Sequence, residues 1–198
     1  MTSRITTDQA VIRRLSLPAL LAVVACASAC GDPFAVTATY GNVETAFSAY
    51  ALSGTPVSFP SAFSMSAMAV ARPDGGLGFE FAFDLNAAGR IVLMPVKLVA
   101  YNPAGDQVVG IQKSTSGYAA LSEAPKEGYN ADSVTVVGVG EAAVVQAVSS
   151  LCTYAASSVI YSKLVIDSVH VAERRLFGRT IVNQNCGFRS FALGFPKF

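Results

Sequence analysis

Apolar and polar residues alternate with a period of two over much of the chain. Leu77, Phe79, Phe81, Phe83 and Leu85 fall on one face of an extended segment, with Gly78, Glu80, Ala82 and Asp84 on the other. That is the pattern of a half-buried strand. Arg72-Pro73-Asp74-Gly75-Gly76 has the composition of a turn, so residues 64–71 and 77–85 are predicted to form a hairpin. Asn86-Ala87-Ala88-Gly89 then turns the chain into 91–100, which is apolar on both faces and predicted to be central. Pro95 inside that run argues for an edge or a bulge, because proline has no N–H to give to a ladder. Asn102-Pro103-Ala104-Gly105-Asp106 is a further turn, followed by a strand over 107–113.

The Val, Ile, Tyr and Thr content predicts more strands at 43–52, 133–139, 158–167 and 176–182. Ser53-Gly54-Thr55-Pro56 ends the first of these, and Glu173-Arg174-Arg175 connects the last two. The segment 142–156 reads either as one short helix or as a strand running into Cys152, since Val144, Val145 and Val148 weaken helical propensity. Short strands at this spacing predict an all-β chain, an antiparallel β-sandwich or open barrel.

The first thirty residues follow a different logic. Arg4, Arg13 and Arg14 precede an apolar run from Leu15 to Ala29 that is rich in alanine and broken by Pro18. Fifteen residues fall short of the roughly 20 that a bilayer-spanning helix needs, whereas a basic start, an apolar stretch and small residues make an export signal. The residues before Cys30 (Ala27-Ser28-Ala29) and before Cys26 (Val23-Val24-Ala25) resemble the lipobox of bacterial lipoprotein precursors. In that family a peptidase cuts before a cysteine carrying a thioether-linked diacylglycerol. Ala27 departs from the usual leucine, and Val23 matches it better. Arg13-Arg14 is a poor twin-arginine signal, with Ile12 before the pair and Ser16 where an aromatic residue belongs. An ordinary signal cut after Ala29 is the third alternative.

Cysteine parity chooses among these. The chain has four cysteines: Cys26, Cys30, Cys152 and Cys186. Lipidation at Cys30 discards Cys26 with the leader and leaves Cys152 and Cys186 as an even pair. Lipidation at Cys26, or a cut after Ala29, leaves three sulfurs, and an unpaired thiol is a liability in an oxidising compartment. The expected arrangement is therefore a signal peptide over 1–29, lipid on Cys30 (alternatively Cys26), and one exported β domain over 30–198 with a Cys152–Cys186 disulfide. The wide spacing of those two cysteines, with no Cys-x-x-Cys and no histidine cluster, argues against a redox or metal pair.

Removing 1–29 takes three of the 14 basic residues and one of the 13 acidic ones, leaving 11 and 12 for a net charge of −1. That balance gives a phosphate backbone nothing to bind, so nucleic acid is not an expected partner. With 52% hydrophobic and 14% charged residues, the chain has the material for a core.

Candidate chemistry is sparse. Val134–Gly138-Val139-Gly140-Glu141-Ala142-Ala143 fits G-x-G-x-x-A after a strand, and Asp167 ends a later strand. A dinucleotide site would also need a helix after the glycines and an acidic residue about 20 positions on, and an exported domain meets little NAD. The bland alternative, a strand, a glycine kink and another strand, is the one expected. His170 is the only histidine. A Ser–His–Asp or Cys–His hydrolase would have to use it, but no G-x-S-x-G turn occurs, and the ring is expected to be exposed or to cap a turn. The histidine count excludes multi-histidine zinc or copper sites.

Glu80 and Asp84 share a strand face about 13 Å apart, too far to act as paired carboxylates, and are expected to be solvated. Arg174, Arg175, Arg179 and Arg189 interleave with Phe177, Phe188 and Phe191. They suit either a cationic–aromatic surface for an anionic partner or, the favoured alternative, a rim whose stems cover an aromatic core. The expectation is an envelope lipoprotein acting as a non-enzymatic binding or structural module without cofactor or metal. Its partners would be the membrane, through the acyl anchor, and an envelope protein or glycan. The alternative is an exported hydrolase with a dispersed site.

Overall fold

A computed structural model describes residues 36–76, 78–99 and 108–198. The predicted signal peptide and lipidation site, with Cys26 and Cys30, the first residue of the predicted 77–85 strand and the predicted turn at 102–106 lie outside the described residues. Ten strands form two antiparallel sheets of five. The strands are β1 (Glu44–Tyr50), β2 (Ala62–Ser64), β3 (Ala69–Ala71), β4 (Phe81–Leu85), β5 (Ile91–Pro95), β6 (Val109–Lys113), β7 (Thr135–Val137), β8 (Ala142–Val148), β9 (Val159–His170) and β10 (Arg175–Asn183). The first sheet has the order β1-β10-β9-β8-β6 and the second β3-β2-β4-β5-β7. The sheets pack face to face without closing into a barrel, and Thr37–Phe198 form one compact unit. Among the described residues, helix is limited to two 3₁₀ turns, Val96–Leu98 and Ser150–Cys152.

Phenylalanines join the two sheets. Phe47 of β1 lies 5.5 Å from Phe63 and 5.3 Å from Phe83 in the opposite sheet, and Phe81 packs against both of those rings. Rings at this spacing add attraction beyond their buried area. Phe47 comes this close because its cross-strand neighbour is Gly178. A Cβ at Gly178 would collide with the Val165 carbonyl oxygen and stand 2.9 Å from the Phe47 ring.

The first sheet is covered on both faces. Along β9, Ile160, Leu164 and Ile166 face the inter-sheet core, while Tyr161 and Val165 belong to a second apolar cluster with Tyr118, Leu121, Ala124 and Phe191. Segments 114–130 and 186–198 thus roof the outer face. The disulfide Cys152–Cys186 ties the second of these segments to the end of β8, with the Cα atoms 5.6 Å apart.

Several sequence expectations are corrected. The predicted hairpin of 64–71 with 77–85 is instead built from β2 and β3, which fold on each other around a turn at 65–68, and it is β2 that pairs with β4. That turn contains no glycine or proline. Glu80 accepts the Met65 N–H at 2.5 Å, Ser64 Oγ accepts the Ala67 N–H, and the Gln184 side-chain amide donates to the Met65 and Ser66 carbonyls. Met68 takes φ +52° there. The strand expected to be half-buried is covered on both sides, since Glu80 and Ala82 are as buried as Phe81 between them.

The run expected over 91–100 ends as a strand at Pro95 and continues as the 3₁₀ turn. The ambiguous 142–156 segment is a strand up to Val148, then the short turn carrying Cys152. The glycine turn joins two strands, as expected, but they lie in different sheets: β7 pairs with β5, whereas β8 lies between β9 and β6. Gly140 makes the crossing with φ +79°, a conformation that costs glycine little.

Candidate functional site: a basic groove beside a buried lysine

The outer face of β9 places Lys163 under the roof. Its side chain is 95% removed from solvent, and the ammonium donates to the Tyr118 and Leu121 carbonyls at 2.9 and 2.8 Å. It also lies 4.5 Å from the centre of the Tyr118 ring. Burial pushes the Lys163 ammonium pKa down, against the opposing charge of Glu44. Burial and Glu44 together push the Tyr118 phenol far above its ordinary range, and the hydroxyl has no hydrogen-bond partner among the described residues. Lys163 thus acts as a clamp that fixes the roof segment through its main chain. Sequence reasoning missed it, because a lysine within a strand pattern reads as a solvated position.

The clamp fixes one wall of a groove of about 550 Å³, lined by Ser122, Glu123, Lys126, Arg189, Ser190 and Lys197, with Phe198 also in the lining. The roof and the tail meet there in a short antiparallel pairing. The Ala124 N–H donates to the Arg189 carbonyl, and the Phe191 N–H to the Ser122 carbonyl, each at 2.8 Å. Asn42 and Asn183 hold the tail from beneath by donating to the Ser190 carbonyl.

Arg189 is committed to Glu123 (3.1 Å) and the Ala124 carbonyl. Among the described residues, Lys126 and Lys197 take part in no ion pair. The lining therefore combines two uncommitted ammonium groups, two serines and one carboxylate already neutralised by Arg189. Such a lining suits a carboxylate or phosphate group. A second recess, beside Lys113, Ser114–Gly117 and Glu141, is neutralised internally. Lys113 at 2.7 Å, Arg90 at 3.1 Å and the Gly138 N–H all bind Glu141, and they hold its carboxyl below the usual range.

The residues singled out in the sequence lie apart. Glu80 is 2% exposed rather than solvated, and burial raises its pKa despite the Met65 and Ser66 donors. It was misread because period two assigns a face but does not show what covers that face. Asp84 binds Ser53 and Arg174 instead. Asp167 binds Arg179 at 2.9 Å, and G-x-G-x-x-A leads into strand β8 rather than a helix, so the elements of a dinucleotide turn do not meet. His170 is exposed at the end of β9, 5.2 Å from the Phe177 ring.

The four arginines do not form a free cationic surface. Arg174 binds Asp84 and two carbonyls, and Arg175 binds Ser48 across the Tyr50 and Phe177 rings. Arg179 binds Asp167 and Glu44. Phe188 and Phe191 are buried. Among the described residues, no group of three metal-ligating side chains occurs, and no helix is long and apolar enough to cross a membrane. Compared with protein-family models, curated proteins and solved structures, the chain matches none.

Proposed function

We propose that this chain is an exported envelope lipoprotein, anchored by a diacylglyceryl group on Cys30, whose β-sandwich is a non-enzymatic module binding an acidic glycan in the groove beside Lys126 and Lys197. The observation that carries this reading is the Cys152–Cys186 bridge. It uses the two sulfurs left when Cys30 is spent on the anchor and Cys26 departs with the leader, and a bridge of this kind persists in oxidising compartments. The groove supports the binding half. Its two uncommitted ammonium groups and its serines are held on a main chain fixed by the disulfide, the asparagines and Lys163, so little ordering is required of the protein on binding.

The test is a thermal-shift panel on the exported protein with uronic-acid oligosaccharides, neutral oligosaccharides and acidic peptides. A ligand that binds only the native state raises the midpoint by mass action. The acidic oligosaccharides are expected to raise it, and Lys126→Glu with Lys197→Glu to abolish the rise. No shift with any acidic oligosaccharide, or an equal shift with neutral ones, would sink the proposal. A rise with acidic peptides alone assigns the groove to a protein partner.

A further inference from the structure

The topology collects the start of β1, the ends of β10 and β8 and the start of β9 at one pole of the first sheet. Segments 37–43, 149–158 and 184–198 are among the described residues at that pole. Arg189 and Lys197 are the only charged side chains within them, and two carboxylates adjoin them: Glu44, which follows Val43, and Glu123, which pairs with Arg189 and lies across from Ser190.

The same segments expose apolar side chains. An antiparallel bridge, Asn42 with Gly194, joins the segment leading into β1 to the tail. The buried Asn42 faces inward and donates to the Ser190 and Ala192 carbonyls. Its neighbours therefore face outward: Val43 is 61% exposed, Leu193 66% and Phe195 74%, and Tyr40 in the bend before them is 51% exposed. Tyr154, beside the disulfide, is fully exposed, and so is most of Phe198. On the second sheet's side of this pole, Met68 and Leu98 are also exposed, and the one surface carboxylate, Asp132, is paired with Lys97. The opposite pole carries Glu173 and Glu141 in its turns.

We infer that the apolar patch of this pole, Tyr40, Val43, Leu193 and Phe195, rests on the bilayer that holds the acyl anchor. The inference depends on the proposed lipidation of Cys30. Seven residue steps separate Cys30 from Thr37, so the chain reaches at most about 25 Å from the anchored cysteine to the start of the compact unit. The pole through which the chain enters the sandwich therefore cannot move far from the membrane. A surface held there meets headgroups continually. Exposed aromatic and aliphatic side chains suit that environment.

The chain contains no tryptophan, so single tryptophans report their own surroundings. The test uses the protein purified from envelopes and reconstituted in 3:1 phosphatidylethanolamine–phosphatidylglycerol vesicles with brominated acyl chains. Phe195→Trp and Leu193→Trp report the proposed interface, and Val171→Trp, at the exposed β9–β10 turn of the opposite pole, is the reference. Intact mass of each preparation reads the acyl group separately. Bromolipid is expected to quench the first two at least twofold more than the reference.

Acylated protein in which all three positions are quenched equally, or none is, overturns the inference and leaves the anchor standing. Acylated protein whose Phe195→Trp is shielded from bromolipid while sedimentation shows a dimer assigns the patch to a second copy and also overturns it. An unacylated N-terminus in the mass spectrum overturns the lipoprotein reading and the membrane contact together.

Discussion

Replacing both Cys152 and Cys186 with alanine removes a covalent closure whose effect can be worked from its place in the fold. The bridge spans 34 positions and encloses β9 and β10, the two strands with the most extensive pairing in the first sheet. In the unfolded chain it forbids every conformation in which those ends separate. For a loop of this length the chain-entropy relation gives about 4 kcal/mol of stabilisation at 25 °C. A domain of this size has only about 5–15 kcal/mol in all, so the double variant is expected to stay folded but lose a large share of its margin. For domains of 150–250 residues, each kcal/mol shifts the midpoint by roughly 2–4 °C. The expected fall is therefore about 8–16 °C.

The assay is thermal unfolding followed by far-ultraviolet circular dichroism, for parent and double variant, with and without reductant. The parent should fall towards the variant when reduced, and the variant should not respond. A variant within about 3 °C of the oxidised parent would refute the reasoning. It would mean that the ends of the loop are already held together in the denatured state by something other than the bridge.

Glu80→Gln tests the buried carboxyl. Burial raises the folded-state pKa of Glu80 above its unfolded value, so its contribution is fully present below the unfolded pKa and is lost as the pH rises through the folded one. The stability of the parent relative to Glu80→Gln is expected to fall from pH 4 to pH 7 in paired urea melts. A flat or rising difference would contradict it. Lys163→Ala removes the clamp, leaving the Tyr118 and Leu121 carbonyls without their donor and a gap beneath the Tyr118 ring. The expected loss is about 2–4 kcal/mol of unfolding free energy in urea melts, with faster proteolysis in 114–124. An unchanged midpoint would mean that the roof is held without Lys163.

Much of the fold follows from local pattern. The alternation around Phe81 and Phe83, the Asn86–Gly89 turn and the β-branched runs at 158–167 and 176–182 place strands where the structure has them, because period two is a property of the extended backbone itself. Asn86 Oδ1 accepting the Ala88 and Arg90 N–H groups shows how local the β4–β5 turn is. The turn at 65–68 was not legible, because its partners, Glu80 and Gln184, lie 14 or more positions away. The groove was illegible for a related reason. Its lining comes from two distant segments, and Lys126 and Lys197 stand out only once Arg189 is seen to be committed to Glu123.

The sequence by itself determined the all-β class and the pairing of the last two cysteines. Each of these depends on composition, spacing or parity along the chain. Tertiary structure alone decided which strands share a sheet, that Glu80 and Lys163 are buried, and that exposed apolar side chains gather at the pole where β1 begins. Those outcomes depend on which distant segments come into contact, and contact removes water from a polar group whatever its neighbours in sequence are.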